Sequence, residues 1–195
     1  KVLSGLIQAS NPINDESRPV AEIQAAMLEK HLPMIHDAGK RGVQILCLQE
    51  IKCLDDQFPR KAFEAAGYKY VHLSGQKGMH GVAIVSKLPI KPLETPGLCR
   101  HGHARCAAVE VAGLEVQNLY VPAGADIPDP AVNEKFAHKL DFVERMHDFY
   151  AARAAKRSAL PLLVAGDINI APEENDVWSH RQLLNVVSHT PVETD

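Results

Sequence analysis

Short apolar segments recur along the whole chain, and each ends at or near a glycine, a proline or a polar residue. Segments of this length and composition are typical of buried β-strands. Seven of them occur, at 2–7, 43–48, 69–73, 82–86, 107–111, 116–121 and 160–165. Apolar residues at helical spacing separate some of these segments and predict three helices, at 20–38, 61–66 and 133–157.

The number of strands indicates the architecture. Seven strands exceed what one doubly wound sheet would need, so we expect an α/β fold arranged as a helix–sheet–sheet–helix four-layer sandwich with mixed sheets. The first two strands enclose a helix, which predicts that they are parallel neighbours in one sheet. Pro33 lies inside the first helical pattern and predicts a kink or a break. On the last helix, Lys139 belongs to the polar residues expected to point away from the apolar face.

Composition and charge limit the classes of function. The chain has 195 residues, of which 46% are hydrophobic and 23% charged, and its net charge is -3. These values predict one globular domain over 1–195 and exclude a mainly disordered chain. We see no signal peptide and no apolar run near the roughly 20 residues that span a bilayer. The four cysteines lack disulfide-framework spacing, so we expect a cytoplasmic protein without membrane contact. Because positive and negative charges are nearly balanced, binding of nucleic acid would require a local basic patch.

Polar side chains stand where three of the apolar strands end. Glu50 follows the second strand, Asn118 and Tyr120 lie in V-Q-N-L-Y-V, and Asp167 and Asn169 follow the strongly apolar L-P-L-L-V-A. Asp167 and Asn169 alternate with an apolar residue, so we expect their side chains to share one face. Carboxylate and amide oxygens form a hard site that suits Mg²⁺ or Mn²⁺ better than zinc. Such a site can hold a phosphate and orient a water.

Other motifs leave alternatives open. An aspartate at a strand end often only caps a helix or forms a turn, although G-D-I-N together with L-Q-E favours function. The glycine-rich segment 75–81, which contains Lys77, forms either a simple hairpin or a close approach for a DNA backbone. Cys99, His101, His103 and Cys106 do not have the spacing of a standard zinc finger, so we interpret that segment as a solvated loop.

Residues 48–194 resemble the exonuclease III type of apurinic/apyrimidinic endonuclease, within the wider endonuclease/exonuclease/phosphatase group. Several separate motifs carry this resemblance in the family's order. They are L-Q-E-I-K (48–52), D-D-Q-F-P (55–59), G-Q-K-G-M-H-G-V-A-I-V-S (75–86), A-R (104–105), N-L-Y-V-P-A-G (118–124), G-D-I-N-I-A-P (166–172) and D-V-W (176–178).

The resemblance implies roles for individual residues. Glu50 would bind a divalent metal, with Asp167 and Asn169 as further ligands of Mg²⁺ or Mn²⁺. Asp167 would orient or deprotonate the attacking water, and Asn169 would hold the scissile phosphate or an adjacent ligand. Tyr120 would contact the phosphate and support the metal site.

The resemblance also implies the substrate and the groups that bind it. The substrate would be double-stranded DNA with abasic sites or 3′ ends, cleaved 5′ to the abasic site or shortened from the 3′ end. Lys52, Lys77, Arg105 and Asn118 would bind it. The metal would neutralise charge on phosphate oxygens while a carboxylate prepares water for in-line attack.

Residues 1–50 depart from this family. The family's first strand ends in Trp-Asn, whereas here it ends in Ile7-Gln8. The segments G-L-I-Q-A-S-N-P (5–12) and A-G-K-R-G-V-Q-I-L-C-L-Q-E (38–50) instead resemble the start of a carbon–nitrogen hydrolase of the nitrilase group, especially a β-ureidopropionase. In that family Glu50 would be a general base beside a lysine and a nucleophilic cysteine, and neither stands here in its family context. A recombined or engineered chimera with a junction near residue 50 is our hypothesis.

The family also ends in an Asp-His pair on late strands, and His189 in S-H-T-P does not match it. We therefore expect a C-terminally truncated body with impaired nuclease activity. Two other functions stay open at this point. One is a carbon–nitrogen hydrolase acting on an amide or carbamoyl group, and the other is a catalytically incomplete scaffold.

Overall fold

The computed structural model describes residues 12–13, 17–156 and 160–194. The predicted strand at 2–7 lies outside the described residues, and so does its predicted parallel pairing with the next strand. Five α-helices are described: α1 (Val20–Lys40), α2 (Arg60–Ala65), α3 (Glu134–Ala155), α4 (His180–Leu183) and α5 (Pro191–Thr194). A short 3₁₀ turn, Glu174–Asp176, precedes α4. No helix in the described part of the chain combines the length and the apolar character needed to cross a membrane.

The described strands form two sheets. The first sheet contains β1 (Ile45–Gln49), β2 (Tyr70–Ser74) and β3 (Val82–Ser86) in the order β1-β3-β2, and both pairings are antiparallel. The second contains β4 (Ile90–Pro92), β5 (Cys106–Val111), β6 (Leu114–Tyr120) and β7 (Leu162–Asp167) in chain order. Its first two pairings are antiparallel, and β6 pairs with β7 in parallel.

Three apolar clusters define four layers. Alternate residues of the fully buried β3 point in opposite directions, as the pleat of a strand requires. Val85 packs in one cluster with Ile35 of α1 and Phe63 of α2. Ile84 packs against the second sheet, and Phe142 of α3 packs on the far face of that sheet. The predicted helix–sheet–sheet–helix sandwich is therefore confirmed, and the second of its described sheets is mixed.

Some local predictions differ from the structure. Of the kink or break predicted at Pro33, the break is wrong, because α1 continues through this residue to Lys40, and the kink stays a prediction. A proline removes one backbone hydrogen bond from a helix, and burial of Ile35 against the first sheet helps to offset that loss. The edge strand β4 was not predicted, since it has only three residues and one of them is proline.

Asn133 begins α3 and also ties down the preceding loop. Its side-chain oxygen accepts hydrogen bonds from the backbone N–H groups of Lys135 and Phe136, and its amide nitrogen donates to the carbonyls of Gly124 and Ile127. We expect Asn133→Ala to lower the free energy of unfolding by about 1–2 kcal/mol. Urea denaturation measures this. Asn133→Asp keeps the cap and removes only the donors, so it should retain part of the stability, and equal losses in both variants would contradict a capping role.

Candidate active site

Three oxygen-bearing side chains meet where β1, β6 and β7 end. Glu50 follows the last residue of β1, Tyr120 ends β6, and Asp167 ends β7. The Tyr120 hydroxyl donates a hydrogen bond of 2.5 Å to Glu50 Oε1. Tyr120 and Asp167 are also register partners in the parallel ladder. Tyr120 is therefore hydrogen-bonded to one of these carboxylates and is the ladder neighbour of the residue that carries the other.

An unusual backbone turn aims Glu50 at this point. Glu50 and Lys52 both have left-handed backbone conformations, with φ of 55° and 49°. The backbone N–H of Lys52 donates to the carbonyl of His80, and that of Ile51 donates to Gly81, so the segment is fixed against the glycine-rich turn. Non-glycine residues in this region of φ are strained and concentrate at functional sites.

Glu50 carries a negative charge at neutral pH. Partial burial by itself would raise the pKa of this carboxyl, but the hydrogen bond from Tyr120 and the charge of Lys52 together lower it below its usual value. The ammonium of Lys52 lies 3.2 Å from Glu50 Oε2. Burial and the bond to Glu50 raise the pKa of Tyr120, so its phenol stays protonated. The pair is a carboxylate next to a neutral hydroxyl.

Arg105 supports Tyr120 from behind. Its guanidinium lies 4.8 Å from the centre of the Tyr120 ring, and Nη1 donates to the Tyr120 carbonyl at 3.1 Å. Only 6% of the residue is exposed. We predicted that Arg105 binds DNA directly. The structure gives it a buried position against Tyr120, and its role toward DNA stays a prediction.

Asn118, predicted to bind substrate, forms a buried bridge between the sheets, and its role toward substrate stays a prediction. It has no exposed surface. Its amide nitrogen donates to the carbonyls of Leu48 and Ala83 in the first sheet, and its oxygen accepts a bond of 2.6 Å from Gln49. These bonds join β6 to β1 and β3 next to the site, so Asn118 fixes the distance between the sheets. The sequence could not show that its partners are backbone groups of another sheet.

A tight turn holds Asp167. Asn169 has a φ of 53°, and its backbone N–H donates to Asp167 Oδ1 at 3.0 Å. Its side-chain nitrogen donates to the carbonyl of Val121. The strand ends at Asp167, so the alternation from which we placed both side chains on one face does not extend to Asn169. The amide of Asn169 fastens the turn to β6, and its role toward phosphate or metal stays a prediction.

Gly166 allows the approach of the two strands at this point. A Cβ atom there would lie 1.9 Å from the carbonyl oxygen of Leu119, and the residue has a φ of 137°. No side chain fits at such a distance. The glycine in G-D-I-N is thus required by the packing of β7 on β6.

Two predicted substrate-binding lysines are exposed. Lys52 flanks Glu50, and Lys77 lies in the turn at 75–81. This turn contacts the segment that carries Glu50, because the N–H of Gly78 donates to the carbonyl of Lys52 and Gly81 packs against Ile51. The two cations therefore border the site and provide a local basic surface on a chain with a net charge of -3.

A family model provides an independent comparison. The model described as the endonuclease/exonuclease/phosphatase family matches residues 3–187. The chain belongs to the endonuclease/exonuclease/phosphatase family. The match begins before residue 50, so it includes the segment that resembles carbon–nitrogen hydrolases. The chimeric junction stays a prediction.

The individual proteins that this chain is similar to support the predicted resemblance to the exonuclease III type. Exodeoxyribonuclease III from Haemophilus influenzae is 29% identical over 163 residues, which cover 78% of this chain and 53% of that protein. An AP endonuclease structure from Archaeoglobus fulgidus has 30% identity and a TM-score of 0.69, covering 86% of this chain and 62% of its own. A Neisseria 3′ phosphatase, NExo, solved with a product DNA hairpin, has 28% identity and a TM-score of 0.71, covering 86% and 63%. The chain spans about half the length of the curated relative.

The donors at the site fit a hard divalent cation. Glu50 provides a charged carboxylate that is about half exposed, and its neighbour Tyr120 also presents oxygen. Within the described residues, no group of three or more His, Cys, Asp or Glu side chains is arranged to hold a metal by itself. A cation here would need water and phosphate to complete its shell, which is an arrangement that Mg²⁺ accepts. The predicted roles of Asp167 and Asn169 as further ligands stay predictions.

The segment predicted as a solvated loop is partly buried. His101 is exposed, but its ring meets that of His138 on α3 at 4.3 Å, and Cys99 Sγ lies 3.3 Å from His138 Nε2. The rings of His80 and His103 lie 4.7 Å apart. Sequence analysis missed this histidine cluster because His138 lies on a helix far along the chain. Burial, together with neighbouring cations, lowers the pKa of both His80 and His138 to about 4.

This cluster predicts sensitivity to acid. Because the folded-state pKa of His138 is below its unfolded value of 6.5, the unfolded chain binds more protons between pH 6.5 and 4. Stability should therefore fall as the pH decreases through that range. Replacing His138 with Gln should reduce the proton uptake on unfolding by roughly one proton, measured by urea denaturation at several pH values. His147→Gln, at an exposed position of α3, is the control. An unchanged pH dependence in His138→Gln would contradict the assignment.

Proposed function

We propose that this chain is a divalent-metal-dependent DNA phosphodiesterase that cleaves at abasic sites and removes nucleotides or phosphates from 3′ ends. The observation that supports this most strongly is that Tyr120 is hydrogen-bonded to Glu50 and is the ladder partner of Asp167, in a chain that belongs to the endonuclease/exonuclease/phosphatase family. Rigid strands fix such groups to within fractions of an ångström, which catalysis requires.

Asp167 is the group proposed to act on water. Its side chain is exposed at the end of β7, so solvent reaches it, and the N–H of Asn169 fixes one of its oxygens. A carboxylate held in this way can orient a water or accept its proton during attack on phosphorus. Tyr120 has a single O–H, which donates to Glu50, so a hydrogen bond from it toward a phosphate oxygen would replace the bond to Glu50 when substrate binds.

Glu50 is the residue proposed to hold Mg²⁺ or Mn²⁺. The bound ion would neutralise charge on the phosphate oxygens. Lys52 stabilises the ionised form of Glu50 and, with Lys77, presents positive charge to the DNA backbone. Arg105 and Asn118 act in this scheme through Tyr120 and the spacing of the sheets.

Three of the four thiols, those other than Cys99, do not support carbon–nitrogen hydrolysis. That chemistry needs a thiolate, and burial raises the pKa of Cys47 to about 11 and that of Cys106 to about 12. Cys53 is buried too, and its pKa is also raised. These three cysteines are protonated at neutral pH and are poor nucleophiles.

One assay separates the three functions considered. The protein is incubated with duplex DNA containing a single abasic site and Mg²⁺, and in parallel with N-carbamoyl-β-alanine. We expect strand cleavage 5′ to the abasic site, and loss of that cleavage with EDTA. Cleavage that persists in EDTA would contradict the metal dependence, and ammonia release without cleavage would favour the hydrolase. Turnover of neither substrate would support the catalytically incomplete scaffold.

A further inference from the structure

Lys139 is a fully buried cation on α3 that does not point to solvent as its sequence pattern predicts. The residue has no exposed surface. Its ammonium donates to the carbonyls of Asn169 at 2.6 Å and Ala123 at 3.3 Å and to the hydroxyl of Ser188 at 3.2 Å, and it forms an ion pair with Glu193. Burying an amine in this way is costly unless every donor is satisfied, so these contacts form a built site.

The contact with Asn169 reaches the proposed active site. The backbone N–H of Asn169 holds Asp167, and its side chain is bonded to Val121. Lys139 holds a third polar atom of the residue, its backbone carbonyl oxygen. The left-handed turn that carries Asp167 is thus fixed at three atoms, and one of them depends on the buried ammonium.

Glu193 connects this ammonium to the segment that contains α5. Its side chain is 2% exposed. One of its oxygens also accepts hydrogen bonds from the backbone N–H groups of Ser188 and Thr190 and from the Thr190 hydroxyl. The ion pair therefore joins residues 188–194 to the back of the Asp167 turn, across two different parts of the chain.

Close packing confines the lysine stem. Gly124 has a φ of 89°, and a Cβ there would lie 2.9 Å from Lys139 Cδ and 2.9 Å from Val187 Cγ1. The stem thus has little freedom to move its ammonium away from Asn169. Burial lowers the pKa of Lys139, whereas the carboxylates of Glu193 and Asp167 favour its charged form.

We propose that Lys139, paired with Glu193, is a positioning residue that holds the Asp167–Asn169 turn in its reactive geometry. It acts through Asn169 and does not touch the substrate. The pair makes that geometry depend on the segment 188–194. This inference rests on the proposed function.

The test compares four variants with the unmodified chain on abasic-site DNA with Mg²⁺. Lys139→Met and Glu193→Gln each remove one charge. The double variant Lys139→Met/Glu193→Gln removes both and avoids an unpaired buried charge, so it is the variant most able to fold. Lys135→Met, an exposed lysine one turn earlier on α3, is the matched control. Thermal unfolding establishes that each variant is folded.

We expect kcat to fall by roughly 10- to 100-fold in the folded double variant, with KM within about twofold, because a misplaced carboxylate affects the chemical step more than binding. Lys135→Met should match the unmodified chain. A double variant that is folded and cleaves at the unmodified rate, or that changes only KM, would overturn the proposal.

A second readout does not depend on activity. The amide hydrogen of Asn169 is held by Asp167 only while the turn keeps its geometry, so its exchange with solvent reports on the turn directly. We expect faster exchange of this amide in the double variant, while amides of β3 keep their protection. Unchanged exchange at Asn169 would overturn the proposal even if the unmodified chain cleaves no DNA. Lack of cleavage alone would count against the proposed function and not against the positioning role.

Discussion

Replacing Asp167 with Asn should reduce kcat for cleavage of abasic-site DNA by roughly 10²- to 10⁴-fold. The amide cannot accept a proton from water, and it carries no charge to orient one. It retains an oxygen that can accept the hydrogen bond from the N–H of Asn169, so the turn itself should keep its shape. A steady-state assay with Mg²⁺ measures the effect, and the free energy of unfolding should change by less than about 1 kcal/mol.

The control for this substitution is Asp148→Asn. Asp148 is on α3, and its side chain is 76% exposed. Its replacement removes the same charge from the chain but should leave kcat unchanged. If Asp167→Asn retains more than about a tenth of the activity, a different group prepares the water, and the assignment of Asp167 as the base is wrong.

Replacing Glu50 with Gln should increase the Mg²⁺ concentration needed for half-maximal cleavage by roughly 10- to 100-fold and lower the rate at any fixed Mg²⁺ concentration. The amide keeps an oxygen that can accept the bond from Tyr120, but it removes a carboxylate proposed to hold the ion. It also leaves Lys52 without its partner, which places an uncompensated positive charge beside the metal. Titration of the cleavage rate with Mg²⁺ measures the change.

Glu64→Gln, at an exposed position of α2, is the matched control and should not alter the Mg²⁺ dependence. Addition of EDTA should abolish cleavage by the unmodified chain and by this control alike. If Glu50→Gln has the same half-maximal Mg²⁺ concentration as the unmodified chain, then another group holds the ion, and Glu50 acts only through Tyr120.

The pattern of apolar strands in the sequence predicted which polar residues stand at the strand ends that form the site. The apolar strands before Glu50 and Asp167 end abruptly, and the structure places Tyr120 between these two residues. The alternation rule failed at Asn169 because a left-handed residue interrupts it, and a single sequence gives little warning of such a conformation. The two carboxylates could be identified as candidates, but the turn that aims Asp167 could not.

The burial of Lys139 and Arg105 could not be predicted for a different reason. Lys139 was expected to point away from the apolar face and Arg105 was assigned to DNA by the resemblance alone, and cations of both types are mostly exposed in proteins. Their partners are distant in the chain or are backbone carbonyls, such as those of Asn169 and Tyr120, which carry no signature in the sequence. A buried cation whose partners are backbone carbonyls can be identified only from the three-dimensional structure, which shows those oxygens close to it.

The absence of a side chain at Gly166 determines how far this site can be redesigned. The backbones of β6 and β7 touch at this residue, and the register pair Tyr120–Asp167 comes directly after this contact. Any side chain at position 166 would push β6 and β7 apart and separate Tyr120 from Asp167. If residues 164–169 are randomised and active variants are selected by cleavage of abasic-site DNA, several of these positions should accept other residues. Position 166 should be recovered only as glycine.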